Sequence, residues 1–537
     1  MSAALSLAAL VQIDAGPPIK TPPVAWHALA PALILIGGAV VLLGTSALSR
    51  RRSLPGVYAL MTVATALAAM ITAVPLWREV TDPDRGPFTA IAGALAFDGF
   101  AVFLTVVICV AVVLTALLCD GYLRREGLDG AELYVLVLLS GSGGVIMASS
   151  NDLIVLFLGL EILSIAAYVL AAMHLRRAQS QEAGMKYFIL GAFSSAFFLY
   201  GIALIYGATG STNLTRIAAF APPIGKVPGS VDPKLIAQAP PALLLAGLAL
   251  LLVGFGFKVA AVPFHSWAPD VYQGAPTPVV AFMASGVKAA GFAGLLRVFV
   301  VAFQANHLDW QPYVYAVAVA TLVVGAVLAV VQTDVKRMLA YSSINHAGFV
   351  LLGVQAASPD GVSGALFYLA AYTFMVVGSF GIVSIVSRRG DDRTALDDYR
   401  GLSRREPLLA FAFTIFLLAQ AGVPLTAGFF AKFYVLRAAI DAGSWPLAII
   451  AMLSAVVAAF MYLRIVVAMY MSETEEEMEV VAATPAGSRA GTRLRVPFAA
   501  ALALIVTFVA TIGFGFFPSP LADSSSDAVP TVTAPAK

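Results

Sequence analysis

Apolar runs of about twenty residues recur along almost the whole chain, and no other feature limits its fold so strongly. A run of that length crosses a hydrocarbon core of about 30 Å as a helix, and lipid admits only segments whose backbone hydrogen bonds close internally. About fourteen such spans can be counted. They lie near 28–48, 57–77, 99–119, 132–149, 153–173, 183–207, 241–262, 276–301, 312–332, 337–356, 363–387, 408–437, 445–471 and 496–517. The expected fold is therefore all-α, a polytopic membrane bundle. Charged residues make up only 12% of the chain, about half the share of a soluble protein. A net charge of +2 gives no ground for nucleic-acid binding. Cys109 and Cys119 are too few for an iron–sulfur cluster or a cysteine-rich zinc site and read as small buried side chains.

The connections between spans alternate in character. One set carries Arg50–Arg51–Arg52, Arg124–Arg125, Arg176–Arg177, Lys336–Arg337, the arginines between Arg388 and Arg405, and Arg489, Arg493 and Arg495. With fourteen spans all of these fall on one side, which the positive-inside rule makes cytoplasmic, with both termini outside. Residues 209–240 read as an outer loop and 472–495 as an acidic inner linker. Ala3–Ile13 is a weak signal-peptide candidate, and Pro518–Lys537 reads as disordered.

Two spans contain a helix breaker beside a lysine: Gly254-Phe-Gly-Phe-Lys258 through Pro263-Phe-His265, and Gly422-Val-Pro424 through Gly428-Phe-Phe-Ala-Lys432. Proline removes a backbone donor, and the freed groups are tolerated only against protein or water. Interrupted spans at matching positions in two halves point to a transport site; simple proline kinks are the plainer explanation. These are the seventh and twelfth spans, so spans 4–8 (132–301) and 9–13 (302–471) are expected to be two inverted five-helix repeats. Spans 1–3 (1–131) precede them, and the linker with span 14 (472–517) follows.

Four ionisable residues sit within apolar stretches: Glu161, Lys258, Lys288 and Lys432. Each costs about 2.5–3.5 kcal/mol near a bilayer centre, so such groups usually line an ion path or a polar interior. Glu161 needs a basic partner, for which Lys258 or another buried lysine is the natural candidate; a static ion pair is the alternative. Lys288 has no acidic residue in its own span. Two ammonium groups about 10 Å apart repel by about 1.7 kcal/mol at an effective dielectric near 20, so charge on one discourages charge on the next. Lys432 is a candidate exit site, with snorkelling to the interface as its alternative. His265 and His346 are secondary candidates, since an imidazole can relay protons. A continuous helix would put His265 on the face of Lys258; His346 lies beside Ser342, Ser343 and Asn345. Lys186 pairs most simply with Glu182, four residues earlier. Arg297, Arg437 and Arg464 hold their protons and are expected to pair or anchor. Gly141-Ser-Gly-Gly144 lies inside a span and suits helix packing rather than phosphate binding.

Four segments carry a family resemblance: Glu182–Ala196 (EAGMKYFILGAFSSA), Val262–Pro278 (VPFHSWAPDVYQGAPTP), Lys336–His346 (KRMLAYSSINH) and Gly422–Tyr434 (GVPLTAGFFAKFY). Together they resemble the antiporter-like subunits of respiratory complex I, the proton-pumping NADH:quinone oxidoreductase of bacteria, over roughly residues 130–470. The first segment and Leu158-Gly-Leu-Glu161-Ile-Leu-Ser resemble the subunit N branch. The resemblance implies that Glu161, Lys258, Lys288 and Lys432 form an entry half-channel, a central relay and an exit half-channel. It implies partners of the M, K, J, A, H and L types in a bacterial plasma membrane, where quinone and NADH react. Flavin and iron–sulfur clusters are then expected on those partners and no cofactor in this chain. Residues 1–27 and 472–495 match no pattern of the family. A cation/proton antiporter component, driven by an ion gradient, is the rival reading; a membrane scaffold is a third.

Overall fold

The computed structural model describes residues 24–48, 56–128, 130–220, 241–471 and 494–530; the leader, the acidic run and most of the outer loop read from the sequence lie outside these. Among them run helices α1 (Trp26–Leu48), α2 (Val57–Val80), α3 (Gly99–Glu126), α4 (Glu132–Ser149), α5 (Leu153–Ala171), α6 (Ala178–Thr209) and the short α7 (Leu214–Phe220). They continue as α8 (Pro241–Val259), α9 (Trp267–Gly274), α10 (Thr277–Ala302), α11 (His307–Val330), α12 (Val335–Gln355) and α13 (Pro359–Val386). Last come α14 (Pro407–Ala421), α15 (Ala427–Asp441), α16 (Trp445–Met471), α17 (Phe498–Phe516) and α18 (Ser519–Asp527). Twelve of the helices are long and apolar enough to cross a membrane. Helix α12 falls short because Ser342, Ser343, Asn345 and His346 dilute its hydropathy, and α14 is too short.

Local chemistry sets the ends. The side chains of Asp98, Asp152, Asp334 and Ser358 accept from backbone N–H groups in the first turns of α3, α5, α12 and α13, satisfying donors that lipid could not. One element was not expected: a hairpin, Phe88–Ala90 paired antiparallel with Leu95–Phe97, which joins α2 to α3 with Phe88 opposite Phe97. The tail differs as well. Residues 519–527, read as disordered, form α18, which starts with prolines in a first turn that needs no N–H from them. Ser525 and Ala528 are buried there, and Ser525 contacts Ser363 on α13 at 3.2 Å.

The core lies along α10, α12 and α13, which are buried on nearly every side. Helix α10 contains two wide π-helical stretches, Met283–Val287 and Leu296–Ala302, on either side of Lys288; such turns are rare and frequent at functional sites. Arg297, in the second, forms a bidentate pair with Asp98 at 2.6 and 2.7 Å and donates to the Ala148 carbonyl at 3.0 Å. Both residues are buried. One cation thus fastens α10 to the start of α3 and the end of α4, the pairing role expected of Arg297.

Breaking such a pair strands a charge. Arg297→Met should lower stability by about 3–5 kcal/mol, read as a lower midpoint of thermal unfolding in detergent. Adding Asp98→Asn should recover part of that loss.

Candidate functional site

The site follows a line of polar side chains through the core. Glu161, on α5, is half-buried and accepts a hydrogen bond from the Ser195 hydroxyl of α6. Ser195, Ser194, Ser164, Tyr168 and Lys258 line one small cavity. The direct Glu161–Lys258 contact suggested by the sequence is not formed, because Ser195 holds the carboxylate. Glu161 is nevertheless close enough for its charge to act on the amine.

Lys258 is buried, and its Nζ has no hydrogen-bond partner among the described residues. It lies 5.8 and 5.6 Å from the ring centroids of Tyr168 and Tyr187, whose π-faces attract a cation. Gly291 on α10 gives it room, since a Cβ there would sit 3.1 Å from Lys258 Cγ. Helix α8 ends at Val259, and Ala260 takes a left-handed φ of 59°. The chain is therefore not helical from 258 to 265, and the shared helix face expected of Lys258 and His265 does not exist. His265 sits half-buried in the break.

Lys288 occupies the middle of α10 and donates to the Ser343 carbonyl and hydroxyl at 2.5 Å each. Its Nζ is 5.7 Å from the Tyr372 ring. Three residues beyond Ser343 on α12 stands His346, with Nδ1 2.6 Å from the Tyr368 hydroxyl and Nε2 3.1 Å from that of Tyr462. The imidazole is within electrostatic reach of both Lys288 and Lys432. The Tyr462 hydroxyl also lies 2.5 Å from Ser342 Oγ, which donates to Gln420 at 3.3 Å. Lys432, on α15, is buried and donates at 2.8 Å to the carbonyl of Ala421, the last residue of α14. Its Nζ lies 4.8 Å over the Phe349 ring. The break leaves that carbonyl without a helical partner, and Gly422 (φ 92°) and Leu425 (φ 68°) turn the chain there. Lys432 therefore does not snorkel; it caps a broken helix.

No carboxylate within ion-pair distance faces Lys288, Lys432 or Lys258 among the described residues. That separates them from Lys186, Lys336 and Arg297, which face carboxylates. Lys186 bonds Glu182, as expected, and Asp270, each at 2.7 Å. Arg437 lies 3.5 Å from Asp441, and Arg464 donates to carbonyls at the end of α11. No group of three or more metal-ligating side chains occurs among the described residues.

A second polar cluster closes one end of the bundle. Asp391, in the connection after α13, is buried and accepts from Ser387 Oγ (2.9 Å), Tyr122 (3.2 Å), the Thr277 N–H (3.3 Å) and Arg177 (3.4 Å). Lys336 and Arg125 stand 3.6 Å away. Cations from the last turn of α3, the connection after α5 and the start of α12 thus meet on one carboxylate, so those basic segments share one end. Burial alone would raise the Asp391 pKa, but Lys336, Arg177 and Arg125 outweigh it and hold the carboxyl below its ordinary range. Sequence reasoning missed Asp391, Ser195 and the tyrosines. Only the spacing of Tyr368 and Tyr372, one turn apart, hinted at a shared face.

Residues 150–458 match the family described as NADH:quinone oxidoreductase/Mrp antiporter, TM, so the class is an antiporter-like polytopic membrane protein. NADH-quinone oxidoreductase subunit N of Trichlorobacter lovleyi is 42% identical over 441 residues, 82% of this chain and 85% of that protein. The chain belongs to the NADH-quinone oxidoreductase subunit N family. A chain of respiratory complex I from Thermus thermophilus with bound aureothin superposes with a TM-score of 0.72 at 33% identity, over 92% of this chain and 98% of that one. The Mrp complex of Dietzia sp. DQ12-45-1b supplies a chain with TM-score 0.78 at 20% identity, covering 94% and 97%, a likeness of fold alone.

Asp391→Asn should leave three cations facing one another, at a cost of about 3–5 kcal/mol, measured as lost thermal stability of the detergent-solubilised protein. Because the native carboxyl is held low, its contribution is complete above the unfolded pKa of about 3.9 and falls away as pH drops through the lower native value. The gap between wild type and variant should narrow below about pH 4.

Proposed function

We propose that this chain is a proton-translocating membrane-arm subunit of an NADH:quinone oxidoreductase, and that Glu161, Lys258, Lys288 and Lys432 carry the protons with His346 between the last two. The observation that carries the reading is the solvation of the three amines by hydroxyls, carbonyls and aromatic faces rather than carboxylates. A lysine locked to a carboxylate would keep its proton; one held by neutral dipoles can release it, since desolvation favours the uncharged amine. The Ser195, Ser343, Tyr368 and Tyr462 hydroxyls can donate and accept, as relay members must.

The redox chemistry belongs to partner subunits, which carry the flavin and iron–sulfur groups. Energy reaches this chain as conformation or electric field. Moving one proton against about 100 mV takes about 2.3 kcal/mol, comparable with the repulsion between neighbouring ammonium groups. The half-buried Glu161 lies among exposed Leu158, Ile162, Ile165, Phe193 and Phe197, which favours coverage of that face by another membrane subunit. Counting the broken pairs α8–α9 and α14–α15 once each gives fourteen crossings, and with the positive-inside rule this reading has both termini outside the plasma membrane and the Asp391 cluster at the cytoplasmic end. The two breaks, each beside a lysine, fit inverted repeats over 132–301 and 302–471. His265, in the first break, keeps a secondary role.

The rival is a cation/proton antiporter component. Purification distinguishes them: the native protein should come with flavin and iron–sulfur subunits, and recovery only with other antiporter-type membrane proteins would favour the rival.

In the assembled enzyme, Lys258→Ala and Glu161→Ala should abolish or sharply reduce NADH-driven proton uptake into inverted vesicles. Lys258→Arg should impair it too, because guanidinium does not release its proton. Normal acidification by Lys258→Ala would contradict the relay.

A further inference from the structure

Where the last turns of α3 and α13 meet the start of α17, a cavity of about 330 Å³ opens beside the basic end of the bundle. Its walls are apolar, from Leu118, Ile385, Leu494, Pro497 and Ala500, and three arginines stand among them: Arg125, Arg388 and Arg495. We propose that this cavity is a binding site for an anionic glycerophospholipid, its phosphate held by Arg388 and Arg495 and its acyl chain laid between α3, α13 and α17.

Charge balance favours an anion. Arg125 is already engaged: it donates to the Ser384 carbonyl at 2.5 Å and to Glu126 at 3.0 Å, and Asp391 is 3.6 Å away. Through that first bond it also covers a negative pole at the end of α13 that would repel a phosphate. Arg388 and Arg495 are exposed and have no hydrogen-bond or ion-pair partner among the described residues. The nearby acids are occupied. Glu126 accepts from the Gly390 N–H and lies 3.3 Å from His174. Asp391 serves Lys336 and Arg177, and Glu406 accepts from the Leu494 N–H. Two guanidiniums with no carboxylate at ion-pair distance among the described residues therefore border an apolar cleft. The fork geometry of guanidinium suits a phosphodiester, and basic pockets between transmembrane helices on the cytoplasmic side take anionic headgroups.

The shape favours a lipid over a free anion. Gly121 and Gly381 line the cavity without side chains. A Cβ on Gly381 would sit 3.0 and 3.1 Å from Leu504 and Leu118. Those glycines mark close helix packing, a Cβ on Gly121 meeting Pro497 at 2.4 Å, and the cavity beside them follows α3 from Arg125 at the basic rim to Leu118, about two turns deeper, as a chain bonded to a phosphate requires.

The test uses the whole purified complex, stripped of loosely held lipid and exposed to phosphatidylglycerol, phosphatidylcholine with the same chains, or inorganic phosphate. Bound lipid is read by native mass spectrometry. Wild type should retain phosphatidylglycerol in preference to phosphatidylcholine. The R388Q/R495Q double variant should bind it about thirtyfold more weakly, as expected for losing two cation contacts. Ala500→Phe, which fills the cleft and leaves the rim, should also lose it. Equal retention of both lipids, or undiminished phosphatidylglycerol on both variants, would overturn the proposal. Displacement by millimolar phosphate would overturn the lipid as ligand. Binding that appears only after Glu473, Glu475, Glu476, Glu477 and Glu479 are changed to Gln would assign the site to the acidic linker instead.

Discussion

Lipid offers no water to an ionised side chain, so every charge in this bundle depends on what the protein places around it. Two arrangements occur. Near the helix ends, charges are matched: Arg297 with Asp98, and Asp391 with Arg177, Lys336 and Arg125. In the middle, three ammonium positions are matched with dipoles and π-faces instead: Lys288 with Ser343, Lys432 with the Ala421 carbonyl, and Lys258 with two tyrosine rings. The first arrangement fixes helices in place. The proposed function depends on that difference, because it requires of the second arrangement a charge that can come and go.

Irregular backbone is concentrated where the second arrangement needs it. The break after Ala421 frees the carbonyl that holds Lys432, the end of α8 follows Lys258 directly, and two π-helical stretches bracket Lys288. Only Lys432 uses a carbonyl that a break sets free; Lys288 takes its carbonyl and hydroxyl from Ser343 within the regular α12. In each break the lysine side is buried, with Ala260, Ala261 and Thr426 enclosed, while Pro263 and Val423–Leu425 face outward. The Asp391 cluster complements them: it ties the start of α10, through the Thr277 N–H, to α12 and to the connection after α13, and so steadies the end of the helix that carries Lys288.

Much of this was legible in the sequence because a bilayer imposes a length and a polarity that leave few choices. The apolar runs located most helices to within about five residues, although α3 runs seven past the expected end at 119, through its polar last turns to Glu126. The lysines and Glu161 stood out because an ionisable residue in such a run is expensive. The proline-bearing segments marked both breaks. What remained hidden depends on contacts between distant segments. Ser195 lies 34 positions from the Glu161 it binds, and nothing local distinguishes it from Ser194. Asp391 looked like one more loop acid among arginines until four elements converged on it. The sequence also suggested a Glu161–Lys258 contact that a serine prevents, a helix through His265 that the break abolishes, and a disordered tail that instead folds as α18 against α13.

The most direct test concerns Lys288, the amine that α10 holds against Ser343 of α12 and Tyr372 of α13. The Lys288→Met enzyme, assembled with all its partners and reconstituted into sealed vesicles, should be assayed for protons moved per NADH oxidised. If neutral-dipole solvation exists so that this amine can pass a proton, that ratio should fall steeply, or turnover should stop under a membrane potential. An unchanged ratio at an unchanged rate would mean that protons take another route and that the lysine row serves only to hold the helices.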